Sequence, residues 1–146
     1  HWTIGTFAIS AWIDRGTQQY PMACHHDDGY LRFQEKGNSD DGAAFSGFVE
    51  SGFVDLEDGD RLYRVNSFMP DFKNLIGGVD VTLAGRIYPQ GAETEVSFGT
   101  VGAATTKLDA RITARQIKFK FSSNSAPTRW RVGSLPFDVI PTKQRR

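Results

Sequence analysis

A strict two-residue alternation near the C-terminal end constrains the fold of this chain more than any other feature. Ile117, Phe119 and Phe121 share one parity, and Lys118 and Lys120 share the other. Because successive side chains of a β-strand point to opposite faces, this segment predicts a strand with one face in a core and the other in water. The pattern is typical of an antiparallel sheet that is dry on one side only.

The segments on either side extend this pattern. Trp130 alternates with Arg129 and Arg131, which predicts a second two-faced strand with Trp130 in the core. Upstream, the apolar residues Ile112 and Ala114 have the opposite parity to the later strand. A β-bulge near Arg115-Gln116 would reconcile the two registers.

Strand signals recur along the whole chain, and helix signals are nearly absent. No window of about 11 residues keeps apolar positions at helical spacing. Aromatic and β-branched segments between turn residues instead predict strands at 2–13, 30–34, 43–53, 61–69, 79–88, 93–98 and in the C-terminal third. About seven or eight strands predict an all-β fold, an antiparallel β-sandwich. Residues 43–146 would form the sandwich, and 1–42, with the first strands and a long loop, would end a β-propeller blade.

Length and cysteine content limit the other possibilities. The chain has 146 residues, which suits one domain with an appendage. Its single cysteine, Cys24, cannot form an intrachain disulfide or a thiolate zinc site. No run of about 18 apolar residues predicts a membrane-spanning helix. The chain starts at His1 in a strand-like segment and without a methionine, which predicts a piece of a longer protein.

Acidic and basic residues are unevenly distributed, although the formal net charge is zero. Residues 1–60 contain 3 Lys and Arg against 11 Asp and Glu, a balance of 3 − 11 = −8, and residues 61–146 contain 14 against 6, a balance of +8. Such an asymmetry can provide a basic face for nucleic acid or an acid-to-base contact between copies of one subunit. Folding that interleaves the two segments would cancel it.

One cluster is rich in metal-binding residue types, but its spacing disfavours a metal site. Residues 25–28 read His-His-Asp-Asp, and adjacent side chains on an extended backbone point to opposite sides. Acidic turns at 40–42 and 57–60 lack the ligand spacing of a calcium loop, and Asx turns explain them better. No metal or other cofactor is therefore predicted.

Catalytic signatures are missing as well. Glu50, Asp55 and Asp71 could supply carboxylates for a glycosidase, yet nothing in the sequence selects a pair. There is no Gly-x-Ser-x-Gly motif and no glycine-rich nucleotide loop. The chain is predicted not to be an enzyme, and no catalytic residue is assigned.

Basic residues on and after the last strands are the best candidates for contacts with a partner. Binding to a DNA backbone requires such positive charge, but the alternation puts the aromatic rings on the opposite face, where they cannot stack on bases. A solvated or subunit-facing surface is the favoured interpretation. The candidate subunit-interface or DNA-facing residues are Lys118, Lys120, Arg129, Arg131, Arg145 and Arg146.

Several short motifs occur in an order and at spacings that resemble one family. They are Asp28-Gly29-Tyr30-Leu31-Arg32-Phe33, Glu50-Ser51-Gly52-Phe53, Asp58-Gly59-Asp60, Met69-Pro70-Asp71-Phe72, Arg86-x-Tyr88-Pro89, Arg115-Gln116 and Trp130-Arg131-Val132-Gly133. Over residues 20–146 the chain resembles the C-terminal region of tail nozzle proteins, of the tail tubular protein B kind, from short-tailed bacteriophages. Such relatives tend to end in a Gly-Arg-rich phrase, and the final residues 142–146 depart from it.

The resemblance implies a virion structural protein of the phage tail. Such proteins assemble with copies of themselves as a ring, usually a hexamer, whose lumen conducts viral DNA without sequence specificity during ejection. Other tail proteins, such as the adaptor and the fibres, would be its neighbours. Neither catalysis nor a cofactor is implied.

Two other classes of function are open alternatives. A carbohydrate-binding β-sandwich of a tail or cell-surface protein would use Trp2, Trp12 or Tyr88 as a platform for a sugar ring. A flat exposed ring beside polar groups would favour that function, and buried tryptophans would favour a scaffold. A polysaccharide-cleaving tail enzyme would require two carboxylates in one cleft.

Overall fold

The protein is built from antiparallel β-strands. The computed structural model describes residues 8–40 and 42–145, and for 143–145 the backbone alone. The strands are β1 (Ile9–Ile13), β2 (Met22–His25), β3 (Leu31–Phe33), β4 (Gly47–Glu50), β5 (Val54–Asp55), β6 (Arg61–Phe68), β7 (Phe72–Ile76), β8 (Val79–Arg86), β9 (Thr94–Val101), β10 (Leu108–Ala114), β11 (Gln116–Ser123), β12 (Arg129–Val132) and β13 (Phe137–Arg145). The predicted all-β, antiparallel class is confirmed, and the described residues contain no helix that could cross a membrane.

Two compact units divide the chain, one ending at Gly37 and the other beginning at Asn38. The first unit contains the N-terminal sheet, in the order β1–β2–β3. Cross-strand pairing aligns Ile13 with Met22 and Met22 with Phe33, so these apolar side chains share one face. Strand β2 lies in the segment that was predicted as a long loop, because its four residues give a weaker signal than the turn residues that follow.

The described residues of the second unit form three sheets. The five-stranded sheet has the order β4–β11–β8–β9, with β5 also paired to β11. The β6 sheet has the order β10–β6–β13, and β7 and β12 form a two-stranded ribbon. Apolar side chains from the five-stranded sheet and the β6 sheet meet in one core, which holds the unit together.

Burial in β11 follows the alternation that the sequence predicts. Ile117, Phe119 and Phe121 are buried, whereas Lys120 is exposed and Lys118 is half-buried. The prediction of a strand with one dry and one wet face is therefore confirmed.

Aromatic rings make contacts between the strands around the core. Phe68 of β6 packs edge-on against Phe98 of β9, at 5.2 Å between ring centroids, and against Phe119 of β11, at 5.4 Å. Phe119 also stacks on Phe137 of β13 at 5.1 Å. Such ring pairs contribute about 0.5–1.5 kcal/mol each beyond their burial. Rings from four strands thus tie the two sheets together.

The chain changes sheets between Ala114 and Gln116, and this corrects the predicted bulge. Strand β10 belongs to the β6 sheet and β11 to the five-stranded sheet, so the opposite parities belong to two strands that contribute to the core from different sheets. The sheets approach closely here: a Cβ at Gly85 would lie 2.8 Å from both Ala114 Cβ and Ile112 Cδ1. A larger residue than glycine would force these neighbours apart.

The ribbon packs on the core through Trp130. Its indole Nε1 donates a hydrogen bond to Ser123 Oγ at 3.0 Å, and its ring lies 6.4 Å from that of Phe72 between centroids. Phe72 in turn packs edge-on against Phe121 at 5.7 Å. Trp130 is therefore packed against the core, as its alternation with arginines predicts.

Candidate functional site

The outward face of the five-stranded sheet carries the first group of candidate residues. Lys118 points outward because its neighbours Ile117 and Phe119 fill the core. Its Nζ lies 3.0 Å from Glu50 Oε1 on β4 and 3.2 Å from Glu93 Oε2, just before β9. One ammonium group therefore faces two carboxylates.

This network of ion pairs shifts protonation equilibria. The hydrogen bond from Lys118 lowers the pKa of Glu50, and hydrogen bonds to Glu50 and Glu93 raise the pKa of Lys118. Glu50 and Lys118 are therefore both charged at neutral pH. A glycosidase acid needs the opposite shift, a carboxyl group whose pKa is raised. Glu50 is consequently in the wrong protonation state for a general acid.

Two phenylalanine rings lie beside cations on this face. The Arg86 guanidinium is 3.8 Å from the centroid of the Phe53 ring, and Lys118 Nζ is 5.0 Å from the same centroid. Lys120 Nζ is 5.5 Å from the centroid of Phe48, whose side chain is 68% exposed. Cation–π contacts at exposed sites contribute about 0.5–1 kcal/mol each. The basic side chains on this face are therefore held by aromatic rings of the same chain as well as by its carboxylates.

The acidic segment before residue 60 meets the basic segment on this face. Arg86 Nε donates to Gln116 Oε1 at 2.7 Å, and Gln116 Nε2 donates to Asp55 Oδ1 at 2.9 Å. Arg115 Nε lies 3.8 Å from the same oxygen of Asp55. These contacts interleave the two oppositely charged segments within one unit. Of the three alternatives that the charge distribution allows, cancellation by folding applies here.

Of the three carboxylates considered for a glycosidase, Glu50 lines a shallow cleft on the outward face, and Asp55 and Asp71 are not part of its lining. This cleft is lined by Glu50, Thr82, Ala84, Glu95, Lys118 and Lys120. Asp55 is held by Gln116, whereas Asp71 lies at the base of the ribbon, where a Cβ at Gly133 would collide with its carboxylate. Both anionic and cationic side chains line this cleft, as expected for an internal ion-pair network.

Arg129 and Arg131 lie on the ribbon, in a different electrostatic setting. Both side chains are exposed, and Arg131 pairs directly across the strands with Lys73. Among the residues that the structure describes, none of these three cations has an ion-pair or hydrogen-bond partner. Like charges directly opposite each other destabilise a strand pair. The ribbon therefore carries an uncompensated positive cluster, of which sequence reasoning missed Lys73.

The other predicted basic residues lie elsewhere. Arg145 pairs through its backbone with Arg61 at the end of β13, and Arg146 lies outside the described residues. The five described candidates thus occupy three places: the outward face of the five-stranded sheet, the ribbon and the end of β13.

Local contacts hold the histidine cluster of the first unit. His25 Nε2 lies 3.3 Å from Gln34 Nε2, and His26 Nε2 lies 2.9 Å from Asp27 Oδ1. Asp28 Oδ1 accepts the backbone N–H two residues later at 3.0 Å, which is an Asx turn. Within residues 8–40 and 42–145, no three His, Cys, Asp or Glu side chains come together in a way that could hold a metal ion.

The acidic turn at 57–60 anchors the start of β6. Glu57 has a φ of 49°, and its Oε2 accepts a hydrogen bond from the Tyr63 hydroxyl at 2.6 Å. This hydrogen bond raises the pKa of Tyr63 to about 12. Next to it, the backbone N–H of Leu56 donates to the carbonyl of Arg115 at 2.9 Å. The side chain of Glu57 therefore has a structural role.

The aromatic candidates for a sugar platform belong to different units. Trp12 in the first unit is 50% exposed, and Tyr88 in the second is 48% exposed. Trp2 lies outside the described residues. Comparison of the chain with models of protein families and with curated protein sequences finds no match.

Proposed function

We propose that this chain is a structural, non-catalytic module of the tail nozzle of a short-tailed bacteriophage. Copies of it would assemble as a homo-oligomeric ring, a hexamer by the resemblance, in the tail of the virion. The ring would surround the path of viral DNA during ejection, and its contacts with the DNA would be to the phosphate backbone. The adaptor and fibre proteins of the tail would be its neighbours.

The main support is that motifs of the resemblance, distant in sequence, bind one another in the fold. The motif that ends in Asp71-Phe72 leads into β7, and the motif Trp130 to Gly133 covers the last three residues of β12 and the residue after it. Phe72 pairs with Val132, and the backbone N–H of Gly133 donates to the carbonyl of Asp71 at 2.7 Å. A Cβ at Gly133 would collide with the Asp71 carboxylate, so a larger residue here would force that side chain to move. These motif residues are explained by packing.

A second junction unites three further motifs. Arg86 donates to Gln116 through its side chain, and its carbonyl accepts the backbone N–H of Arg115 at 3.0 Å. The same guanidinium lies over the ring of Phe53, from the motif at 50–53. Catalytic motifs would converge on a cleft with a nucleophile or a tuned acid. Motifs that converge on strand junctions are typical of a scaffold.

Imaging and mass measurement of the complete protein test this proposal. Negative-stain micrographs and mass photometry, at low and at high salt, are expected to show closed rings of one stoichiometry. An antibody raised against these 146 residues should label the tail of intact virions. Monomers under both salt conditions, or labelling away from the tail, would contradict the proposed function.

Exposed aromatic rings favour carbohydrate binding as the second candidate. Phe48 is 68% exposed and lies at the edge of the sheet whose cleft contains Thr82 and Glu95, and Trp12 is half exposed. An aromatic ring beside polar groups is typical of a sugar platform. Titration with host-surface oligosaccharides, followed by NMR, should then give saturable shifts that Phe48→Ala or Trp12→Ala abolishes. The absence of saturable shifts would exclude the oligosaccharides tested.

A further inference from the structure

The five-stranded sheet has two edges that run in opposite directions. Its strands follow the order β4–β11–β8–β9, and each neighbouring pair is antiparallel. With four strands across the sheet, β9 runs antiparallel to β4. A second copy of the sheet, moved sideways without being turned over, would therefore bring its β4 beside β9 of the first copy in antiparallel orientation.

The β4 edge exposes apolar side chains on both of its faces. Phe48 is 68% exposed, and its neighbour Val49, on the opposite face, is 55% exposed. Val54 in β5, on the same edge, is 59% exposed. Within the described part of the chain, no strand pairs with the outer side of β4. An exposed apolar edge strand is a template for pairing with another chain.

Backbone groups of β4 are directed toward this open side. The N–H of Ser51 donates to the carbonyl of Phe119 at 2.9 Å, so alternate residues at 49 and 47 also face β11. The residues between them, Phe48 and Glu50, therefore direct their backbone N–H and C=O groups outward. Both groups can bond to an added antiparallel strand.

The β9 edge offers a stretch of matching length. Its pairing with β8 is regular over Thr94–Ser97 and then shifts register at a bulge, where Gly99 has a φ of 67°. Because a bulge ends regular pairing at an edge, an added strand would use the residues before it. Four regular residues of β9 thus match the four residues of β4, Gly47–Glu50. Among the described residues, β9 pairs with β8 alone.

We infer that β4 of one copy adds to β9 of the next, so that the five-stranded sheet continues from subunit to subunit. The contact is heterologous, and its repetition closes a ring when the rotation between copies divides a full turn. The inference rests on the proposed ring and names the surfaces that form it. A two-fold contact between two β4 strands would cover Phe48 but leave both β9 edges open. Pairing β4 with β9 gives hydrogen-bond partners to the open backbone groups of both edge strands.

Cysteine cross-linking tests this pairing in the assembled protein, with Cys24 and every cysteine outside these 146 residues changed to serine. Register with the intervening strands puts Phe48, Glu95 and Ser97 on the same outward face of the sheet. Phe48→Cys combined with Glu95→Cys or Ser97→Cys therefore brings two thiols within disulfide range across the contact. Oxidation of at least one double variant is expected to give a ladder of covalent multimers, and no single variant should give one.

Other outcomes separate this inference from the proposed function. Abundant dimers from Phe48→Cys alone would reveal a two-fold contact and overturn the inference. Rings in micrographs without cross-links in either double variant would also overturn it, while the proposed ring would stand. Monomers in every condition would overturn both.

A charge on the edge gives a second measurement with a matched control. Val49→Lys on β4 and Ile140→Lys on β13 add the same charge at positions that are 55% and 52% exposed. Val49→Lys is expected to weaken association by about tenfold or more, because the ammonium would be buried in the contact. Ile140→Lys should leave association unchanged. The dissociated subunits of the two variants should unfold at the same temperature. Equal weakening in both variants would contradict the inference.

Discussion

The outward face of the five-stranded sheet and the ribbon carry the same kinds of residue with opposite electrostatic results. Lys118 is held between two carboxylates, at 3.0 and 3.2 Å. Arg131 instead lies opposite another cation, Lys73, and neither has an anionic partner within the described chain. Both strands alternate basic and aromatic residues. The neighbouring strand, rather than the strand's own sequence, decides whether a basic residue is neutralised.

This difference bears on where an anionic partner could bind. On the five-stranded sheet, a partner would have to compete with Glu50 and Glu93 for Lys118 and would leave carboxylates unpaired. On the ribbon, an anion would relieve the repulsion between Lys73 and Arg131. Of these two surfaces, the ribbon can bind a negatively charged partner without the loss of an internal ion pair.

Removal of the Trp130 side chain is expected to have the largest effect on stability. It should also destabilise the ribbon more than the five-stranded sheet. Trp130→Ala loses the packing against Phe72 and the hydrogen bond to Ser123, which should lower the free energy of unfolding by about 3 kcal/mol. Hydrogen exchange should rise more in the ribbon than in β11. Trp130→Phe is the matched control and should cost about 1 kcal/mol. Equal increases in exchange would show that the regions unfold together.

The same two regions differ in how much the sequence predicts about them. In β11 the two-residue period is local, so alternation alone predicts that Phe119 is buried and that Lys120 is exposed. The ribbon instead depends on the pairing of β7 with β12, which are far apart in sequence. Lys73 therefore carries no sequence signal that connects it with Arg131, and the positive cluster could not be predicted in full.

Short strands and the change of sheet are two further features of the fold that the sequence does not predict. The sequence predicts about seven or eight strands, and the described residues form thirteen. Strand β5 has two residues and is defined by its pairing with β11, so no local pattern indicates it. The reversal of parity after Ala114 reads equally well as a bulge within one strand or as two strands in different sheets. Only the tertiary packing distinguishes these possibilities.

Neutralising the ribbon is expected to have the next largest effect, on binding to polyanions. A variant with Lys73, Arg129 and Arg131 changed to glutamine should elute from heparin at lower salt. For binding to double-stranded DNA, the slope of log K against log salt concentration should become shallower by about 0.9 for each lost phosphate contact. For a matched pair of single changes, Arg131→Gln should shift elution more than Lys118→Gln, because two carboxylates already balance Lys118. Equal shifts would remove the distinction between the two surfaces.

Acid unfolding tests the neutralised face by itself. Because the pKa of Glu50 is lowered from 4.5, its ionised form contributes stability above that pH, and this stability is lost as pH falls through the lowered pKa. Glu50→Gln should therefore flatten the acid limb of the stability curve below pH 4.5, as measured by urea denaturation. Glu95→Gln removes the same charge in the same cleft but no ion pair among the described residues, so as the control it should change the limb less than Glu50→Gln does. An identical acid limb in Glu50→Gln and the parent protein would contradict this account.

The smallest effect is expected at alkaline pH, from the turn beside the start of β11. Glu57 raises the pKa of Tyr63 from 10.0 to about 12, so protonated Tyr63 contributes stability that is present below pH 10 and is lost as pH rises through about 12. Tyr63→Phe should lower stability at neutral pH and flatten the curve between these two values. Since the backbone N–H of Leu56, next to this turn, donates to the carbonyl of Arg115, hydrogen exchange should rise at the start of β11 and stay unchanged in the ribbon. Tyr30→Phe, at a side chain that is 65% exposed, is the control. A rise in hydrogen exchange of the ribbon in Tyr63→Phe would show that the turn and the ribbon are coupled through the core.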